Sequence, residues 1–316
     1  MDSQSCDPRE VGTVHGVQVK NRAPESLGME DHRSRDVSFS QRNLICHVYP
    51  RSNGRYLRTV DHLRRRWRLF TGRKIIAVAL DETTDSLPEV RGAFGDCEAE
   101  FLTVRNSELQ EVETFVRSLE RLAAEPGITF RCHAKGATHL DPRAASHAWA
   151  DVMFSACLDF PGLIECALSR SAVCGAFRSH GIWGGPGYHN WHFAGSCYWF
   201  RNDAAFVRNW RNVHQAFWGA EAWPGIFGIE ESVCLFCDRA QTHQLYNVEW
   251  WENGLGPSFF HWVRRLESCS LRSPAYIPRD SLLWNWRPTS RRIDRGRLRN
   301  LLKAVGRACI DCLAFP

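Results

Sequence analysis

The sequence has no apolar stretch long enough to cross a bilayer. Its longest apolar runs, such as residues 74–80, are far shorter than the roughly 20 residues that a transmembrane helix needs. The amino terminus also lacks a basic segment followed by an apolar core, which is the pattern of a secretory signal. These two absences predict a cytoplasmic protein without a transmembrane helix.

Three signatures of common enzyme classes are missing as well. The chain contains no Gly-x-x-x-x-Gly-Lys-Ser/Thr loop, no Gly-x-Gly-x-x-Gly turn and no Gly-x-Ser-x-Gly elbow. ATPase, dehydrogenase and serine-hydrolase functions therefore lose their usual sequence support.

The cysteines do not form a recognisable framework. The 13 cysteines are an odd number and lie mostly in apolar runs, where a free thiol acts as a small hydrophobe. Two pairs, Cys234/Cys237 and Cys309/Cys312, have the spacing of zinc ligands, but both fall in helix-like patterns without Gly-rich turns. We therefore predict no metal ligands and no disulfide framework.

The rest of the composition is that of a globular protein, with 44% hydrophobic and 24% charged residues. Continuous apolar runs alternate with helical patterns, which predicts an α/β fold with a mostly parallel, Rossmann-like sheet flanked by helices. The predicted strands are residues 43–49, 74–80, 100–104, 128–133, 172–177 and 192–201. The predicted helices are residues 56–67, a segment capped by Ser107, residues 148–168 with a break near Pro161, residues 203–217 and residues 229–236.

The chain divides into three predicted parts. Residues 1–41 are polar and lack hydrophobic periodicity, as in a disordered leader. Residues 42–278 form the α/β domain. Residues 279–316 form a basic tail whose end has the pattern of an amphipathic helix, which either docks on its own domain or lies on an anionic membrane surface.

Polar side chains lie at or just beyond the ends of the predicted strands. In open α/β sheets, ligands bind beyond the carboxyl ends of the strands. A lysine at such a place provides a fixed positive charge for phosphate oxygens. We therefore predict a crevice that binds a phosphate-bearing donor, although a packed histidine and a surface lysine would produce the same pattern. The predicted donor-binding residues are His47, Asp81, Asn106, His133 and Lys135.

Two acidic residues open the predicted helix 229–236. Glu230 and Glu231 fit the first turn of any helix, because the macrodipole stabilises carboxylates there. The functional alternative is that one of them faces the crevice and acts as a general base on an acceptor hydroxyl.

Aromatic residues cluster around the Gly/His/Trp-rich segment 181–191. Aromatic faces suit sugar rings, but most tryptophans fill protein cores. We take Trp191, His192, Trp199 and Trp223 as the predicted acceptor-binding residues, with Trp183 in the same cluster.

Four segments in order carry a family resemblance. They are Asn43-Leu-Ile-x-His-Val-Tyr-Pro50, Phe130-x-x-His-Ala-Lys-Gly136, Trp191-His-x-x-Gly-Ser-x-x-Trp-Phe-Arg201 and Glu230-Glu-x-x-Cys-Leu-Phe236. Over residues 43–250 the chain resembles bacterial glycosyltransferase-like proteins of the glycosyltransferase A fold and is more distantly similar to polysaccharide (rhamnan) synthesis proteins. The resemblance implies a nucleotide-sugar donor and transfer of a hexosyl group to a hydroxyl acceptor, a glycan or a lipid-linked saccharide.

The same resemblance places His133 and Lys135 where relatives keep an Asp-x-Asp that holds Mn²⁺ or Mg²⁺ on the donor diphosphate. No Asp-x-Asp occurs in this sequence, so the cofactor stays open, and a lysine charge is a substitute for the metal. The resemblance also matches Glu230 and Glu231 to an acidic pair that contains the base of inverting relatives. A catalytically inactive glycan- or nucleotide-binding protein on the same fold is the alternative.

The net charge of +5 is modest, and its basic clusters suit small phosphate-bearing molecules or an anionic membrane. Arg64, Arg65 and Arg66 lie opposite the apolar face of the predicted helix 56–67, the usual place for solvated charge. We therefore predict no nucleic-acid partner, and we expect any membrane contact to be peripheral, at the inner face, through the tail.

Overall fold

The computed structural model describes residues 39–135, 144–181, 187–268 and 275–286. The predicted leader, apart from its last three residues, lies outside them. The predicted amphipathic helix of the tail, Trp183, Gly136 and Cys309/Cys312 also lie outside the described residues. The domain limits at 41/42 and 278/279 stay predictions.

Strands and helices alternate through the first half of the chain and become shorter and more irregular in the second. The strands are β1 Arg42–Val48, β2 Lys74–Leu80, β3 Glu100–Arg105, β4 Ile128–His133, β5 Val173–Ala176, β6 Arg178–His180, β7 Trp191–Phe193, β8 Tyr198–Arg201 and β9 Ser232–Phe236. The helices are α1 Leu57–Arg64, α2 Leu87–Phe94, α3 Glu111–Leu122, α4 Ala145–Leu158, α5 Pro161–Leu168, α6 Asn202–Ala205, α7 Gly219–Ala222, α8 Thr242–Leu245, α9 Val248–Trp250 and α10 Gly256–Ser268, with a π-helical segment Trp251–Leu255 before α10.

Seven of these strands form one sheet in the order β3-β2-β1-β4-β8-β5-β9. Every neighbouring pair is parallel except the two pairs that involve β8. β6 and β7 form a separate antiparallel ribbon. The predicted α/β class with a mostly parallel sheet and flanking helices is confirmed. The strand order reverses between β1 and β4, which makes their carboxyl ends the switch point where ligands of such sheets bind.

Both faces of the sheet are covered, which explains why its strands are apolar without alternation. Successive side chains point to opposite faces, so Ile75 enters one core with α3, while Ile76 enters the other with α1, α2 and α4. α4 is buried along its whole length, between the sheet and later segments of the chain.

The helix α2 was not predicted, although its start has a sequence signal. α2 begins at a capping box, in which the Ser86 hydroxyl accepts from the Glu89 backbone N–H and the Glu89 carboxylate accepts from the Ser86 N–H at 2.6 Å. A Ser followed three residues later by Glu predicts such a start. Conversely, Ser107 does not cap α3, because Gln110 is the residue that precedes its first turn.

Two predicted helices are wrong. Residues 229–236 form a 3₁₀ turn and then β9, since parallel pairing with β5 overrides the local pattern. Helix 203–217 ends as α6 at Ala205. Beyond it the carbonyl of Trp210 accepts a hydrogen bond from the Trp223 indole at 3.0 Å, so tertiary packing takes a group that a continuing helix would use.

One arginine of the predicted helix 56–67 is also more buried than predicted. Arg66 pairs with Asp159 next to the end of α4, with 2.6 Å between Nε and Oδ1, and only 7% of its side chain is exposed. Arg65 stays exposed beside Asp61. The expectation of a fully solvated arginine face is therefore wrong for Arg66. None of the helices in the described ranges has the length and apolarity that a membrane crossing requires.

Candidate functional site

The carboxyl ends of β1, β2 and β3 meet in a polar rim. Asp81, directly after β2, accepts a hydrogen bond from the Tyr49 hydroxyl at 2.7 Å and from the Asn106 amide at 2.9 Å. Its other oxygen accepts from the backbone N–H and the hydroxyl of Thr83, at 2.8 and 2.7 Å. The predicted meeting of Asp81 and Asn106 at one edge is therefore observed, and Tyr49 and Thr83 join them.

These hydrogen bonds decide the charge of the rim. Those from Thr83, Tyr49 and Asn106 hold the pKa of Asp81 well below its usual range. Because an ionised carboxylate has about four acceptor positions, Asp81 is nearly saturated and acts mainly to fix its neighbours. Tyr49 and Asn106 are the groups that it orients at the ends of the strands.

The chain turns sharply at the end of β4. The Ala134 N–H still donates to the His47 carbonyl, as in the parallel ladder, but the Lys135 N–H donates to the His133 carbonyl at 2.8 Å and closes a three-residue turn. His133 contacts Glu111 on the α3 face, while Lys135 contacts Trp149 on the α4 face. The two predicted diphosphate ligands therefore diverge to opposite faces of the sheet.

His133 belongs to a buried charge cluster below the crevice. The Glu111 carboxylate, at the start of α3, lies 2.6 Å from Nη2 of Arg131 and 3.1 Å from Nδ1 of His133. Burial alone would raise the pKa of Glu111, but the charge of Arg131 and then the interaction with His133 hold it well below its usual range. Glu111 is thus an ionised acceptor that holds the side chains of Arg131 and His133 in place.

His47 of β1 lies beside this cluster and is buried against α3. Its Nδ1 lies 2.8 Å from the Thr114 hydroxyl, which itself donates to the Glu111 carbonyl. The hydroxyl proton is therefore used, so His47 Nδ1 donates. Burial lowers the pKa of His47 to about 4, which keeps the ring neutral. The prediction that His47 binds the donor directly is corrected, because the α3 face covers it.

Lys135 lies against aromatic rings. Its ammonium is 3.9 Å from the Trp149 ring centroid and donates to the Tyr246 hydroxyl at 3.2 Å. A cation held against aromatic faces keeps its charge at a fixed position. Tyr246 is 48% exposed, so this pair reaches the surface of the protein beside the strand ends.

His133 and Lys135, which the sequence resemblance matches to an Asp-x-Asp, do not fit a divalent metal. Mg²⁺ and Mn²⁺ prefer carboxylate and carbonyl oxygens, whereas this strand end presents an imidazole and an ammonium on opposite faces. Over the described ranges, no group of three or more His, Cys, Asp or Glu side chains is arranged to hold a metal ion. Cys234 and Cys237 are free thiols with raised pKa values caused by burial.

Glu230 and Glu231 lie near the amino ends of the parallel strands, at the opposite end of the sheet from His133. Thr129 of β4 and Val173 of β5 both pair with Phe200 of β8, and Val173 also pairs with Ser232 of β9, so these residues lie at one level of the sheet. Glu231 precedes Ser232 and is therefore level with Ile128, at the amino end of β4. Five residues of strand, about 17 Å, separate that level from His133. Glu231 pairs with Arg208, and Glu230 is exposed. The expectation that one of them faces the crevice is wrong.

The predicted acceptor aromatics are core residues. The indole N–H groups of Trp191, Trp199 and Trp223 donate to the carbonyls of Phe227, Cys157 and Trp210, at 3.0, 2.8 and 3.0 Å. Each side chain is at most 1% exposed. His192 is equally buried, and burial lowers its pKa. Packing accounts for all four, and a sugar would reach none of them in this conformation.

Two charged residues of the site were not predicted. Arg131 has a sequence signal, since a single arginine inside the apolar strand Ile128–His133 demands a buried carboxylate partner. Glu111 supplies it, but its sequence position shows only an acidic residue in the first turn of a helix. The pairing itself depends on the β3-α3-β4 crossover.

A separate cavity of about 740 Å³ lies beside the start of α1. Two of its four arginines, Arg58 and Arg65, form ion pairs with carboxylates. Arg58 binds Asp151 through Nε and Nη2 and Asp280 through Nη1, and Arg65 binds Asp61. The cavity is large enough for a small ligand, but its charges chiefly join α1 to α4 and to the segment near residue 280.

Comparison with known proteins gives a structural likeness alone. A crystal structure from Desulfovibrio desulfuricans G20, named as a candidate nucleotide-diphospho-sugar transferase, covers 72% of this chain and 95% of its own, with 11% sequence identity and a TM-score of 0.35. No family model and no curated protein matches the chain. A likeness at this level carries no argument about activity.

Proposed function

We propose that the protein transfers a sugar from a nucleotide-diphospho-sugar donor to a hydroxyl acceptor, either a glycan or a lipid-linked saccharide. The observation that carries this proposal is the convergence of polar side chains after β1, β2 and β3 at the carboxyl ends of the strands, beside the switch point, with Lys135 following the neighbouring strand β4. Ligands of open α/β sheets bind at such a place. The family resemblance of the four sequence segments supports a nucleotide sugar as that ligand.

Each group at the edge has a distinct proposed role. Asp81 orients Tyr49 and Asn106, whose ring and amide offer stacking and hydrogen bonding to a nucleoside. Lys135 stabilises the negative charge that develops on the leaving diphosphate, as a preorganised cation does in a partly desolvated site. This arrangement would not require a metal bridge between protein and diphosphate.

A second candidate function is a catalytically inactive protein that binds a glycan or a nucleotide. One observation favours it, namely that Glu230 and Glu231, the acidic pair that the resemblance associates with base catalysis, lie at the far edge of the sheet. A fold of this kind can lose its chemistry and keep its binding site.

Donor turnover distinguishes the two functions. Purified protein is incubated with a panel of nucleotide-diphospho-sugars in EDTA and in Mn²⁺, and the release of nucleoside diphosphate is measured, first with water and then with hydroxyl acceptors. The transferase predicts release in EDTA that Lys135→Met reduces about 10- to 1,000-fold. Release that depends strictly on Mn²⁺ contradicts the role of Lys135, and binding without any release supports the inactive protein.

A further inference from the structure

Transfer to a hydroxyl needs a group that takes the acceptor proton, and several carboxylates at the carboxyl edge are already engaged. Burial would raise the pKa of Asp238, but Arg178 lowers it to about 2, so its basicity is low. Glu221 accepts the Gly195 N–H at 2.7 Å. Asp81 and Glu111 are held by the hydrogen bonds and ion pairs described above. Each of these four carboxylates is therefore already bound to another group of the protein.

His133 differs from them in geometry. Glu111 is ionised and has no proton to donate, so the hydrogen between the two groups belongs to Nδ1 of His133. A neutral ring in this tautomer carries its lone pair on Nε2. Within the described residues Nε2 makes no hydrogen bond, and 19% of the side chain is exposed at the strand end. A carboxylate that orients an imidazole in this way is a recurrent arrangement for proton transfer.

We propose that His133 is the general base of the transfer reaction and that Glu111 is its positioning residue. The proposal rests on the proposed function. The acceptor O–H proton moves to Nε2 of His133, and the freed oxygen lone pair forms the bond to C1 of the donor sugar. The bond between C1 and the phosphate oxygen breaks, and its electron pair leaves with the diphosphate. His133 then returns the proton to solvent.

The divergence of His133 and Lys135 fits this step. In an in-line displacement the attacking oxygen and the leaving oxygen lie on opposite sides of C1. His133 on the α3 face serves the attacking side, and Lys135 on the α4 face serves the leaving side. The reaction therefore inverts the configuration at C1.

The charges around His133 come from three elements. Glu111 of α3 holds the proton on Nδ1, while Arg131 of β4 offsets the charge of Glu111. His47 of β1 stays neutral because burial lowers its pKa to about 4. Glu111, whose charge Arg131 offsets, therefore sets the tautomer of His133. Removing the Glu111 carboxylate removes the orientation of the imidazole ring and adds no competing base.

The first test needs no substrate. Protein labelled with ¹⁵N-histidine is examined by long-range ¹H–¹⁵N correlation, and the His133 signals are assigned by their loss in His133→Gln. The proposal predicts a proton on Nδ1 and a lone pair on Nε2 in the neutral ring, and a mixture of tautomers in Glu111→Gln. A proton on Nε2 in the wild-type protein overturns it.

The second test measures catalysis with whichever nucleotide-diphospho-sugar the protein binds and hydrolyses. We expect His133→Ala to lower kcat at least about 100-fold with little change in KM, and added imidazole to restore part of the rate. Glu111→Gln lowers kcat and alters the pH profile, with thermal melting as the folding control. The matched variant His261→Gln, at an exposed position of α10, keeps the wild-type rate.

The outcomes of this second test distinguish failure of the general base from failure of the transferase function. Donor hydrolysis that survives in His133→Ala overturns the base and leaves the transferase function intact. Absence of donor binding in the wild-type protein overturns both.

Discussion

Replacing Arg131 by Met tests the charge cluster that supports the site. The Arg131 side chain is 1% exposed, and its Nη2 lies 2.6 Å from the Glu111 carboxylate, which is itself 8% exposed. Its Nη1 donates to the Ser196 carbonyl at 3.2 Å, and its guanidinium lies 5.1 Å from the Phe115 ring centroid. Methionine conserves much of the apolar volume and removes the charge.

Arg131→Met should lose stability because the Glu111 carboxylate stays buried without its guanidinium partner. Breaking a buried ion pair by removing one partner costs about 3–5 kcal/mol, because the other charge stays desolvated. In the wild-type protein the pKa of Glu111 is depressed, so the stability it contributes is present above its unfolded pKa and is lost as the pH falls through the folded value. In Arg131→Met, burial raises the pKa of Glu111 instead. The stability difference between the two proteins should therefore shrink as the pH is lowered from 7 toward 4.

Urea denaturation at pH 7 and pH 5 measures this difference. Arg117→Met, at an exposed position of α3, is the matched control and should stay within about 0.5 kcal/mol of wild type. The double variant Arg131→Met/Glu111→Gln should regain part of the loss, since it no longer buries an unpaired charge. A loss below about 1 kcal/mol for Arg131→Met alone would refute the inference that the pair is a tightly coupled buried unit.

Two further predictions concern stability. Burial lowers the pKa of His47 to about 4 from 6.5, so its contribution is complete above about pH 6.5 and is lost as the pH falls from there toward 4. It amounts to about 3 kcal/mol at most. Urea midpoints should therefore fall less steeply with acid in His47→Gln than in wild type, and equal slopes would contradict this. Gly127→Ala should lower the Tm, because φ is +92° and a Cβ would lie 2.1 Å from the Gln41 carbonyl oxygen. Gly92→Ala, in α2 with open space around it, should leave the Tm unchanged or raise it, and similar losses in both variants would count against the backbone argument.

The first half of the fold follows from the sequence because its signals are long and consistent. Continuous apolar strands separated by amphipathic segments leave little alternative to a parallel sheet with both faces covered. The position of Asp81 and Asn106 at one edge followed from the same argument, since the ends of parallel strands meet there.

The second half could not be predicted in the same way. Residues 229–236 contain only a short apolar run, 233–236, and periodicity alone does not distinguish a short buried strand from a helix. Its strand character comes from pairing with β5, which lies more than 50 residues earlier in the chain. The burial of Trp191, Trp199 and Trp223 likewise depends on backbone carbonyls that distant segments supply.

A local turn at the end of β4 explains why the side chains of His133 and Lys135 lie on opposite faces of the sheet. Two residues of a strand with one residue between them share a face, and only the three-residue turn at Ala134 separates these two. The Lys135 N–H closes this turn directly after the last residue of β4. The pairing of His133 with Glu111 then follows from the crossover that brings α3 over β4.

The central claim is that the carboxyl edge of the sheet binds a nucleotide-diphospho-sugar, and titration calorimetry tests it most directly. Nucleoside diphosphates and their sugar conjugates are titrated in EDTA into wild type, Asp81→Asn, Lys135→Met and Glu230→Gln, the last being an exposed carboxylate at the opposite edge. The account predicts that at least one nucleotide binds the wild type and Glu230→Gln equally, and that the Asp81 and Lys135 variants bind it at least about 10-fold more weakly, a difference of about 1.4 kcal/mol. Binding that is insensitive to Asp81 and Lys135, or binding of no nucleotide at all, would contradict it.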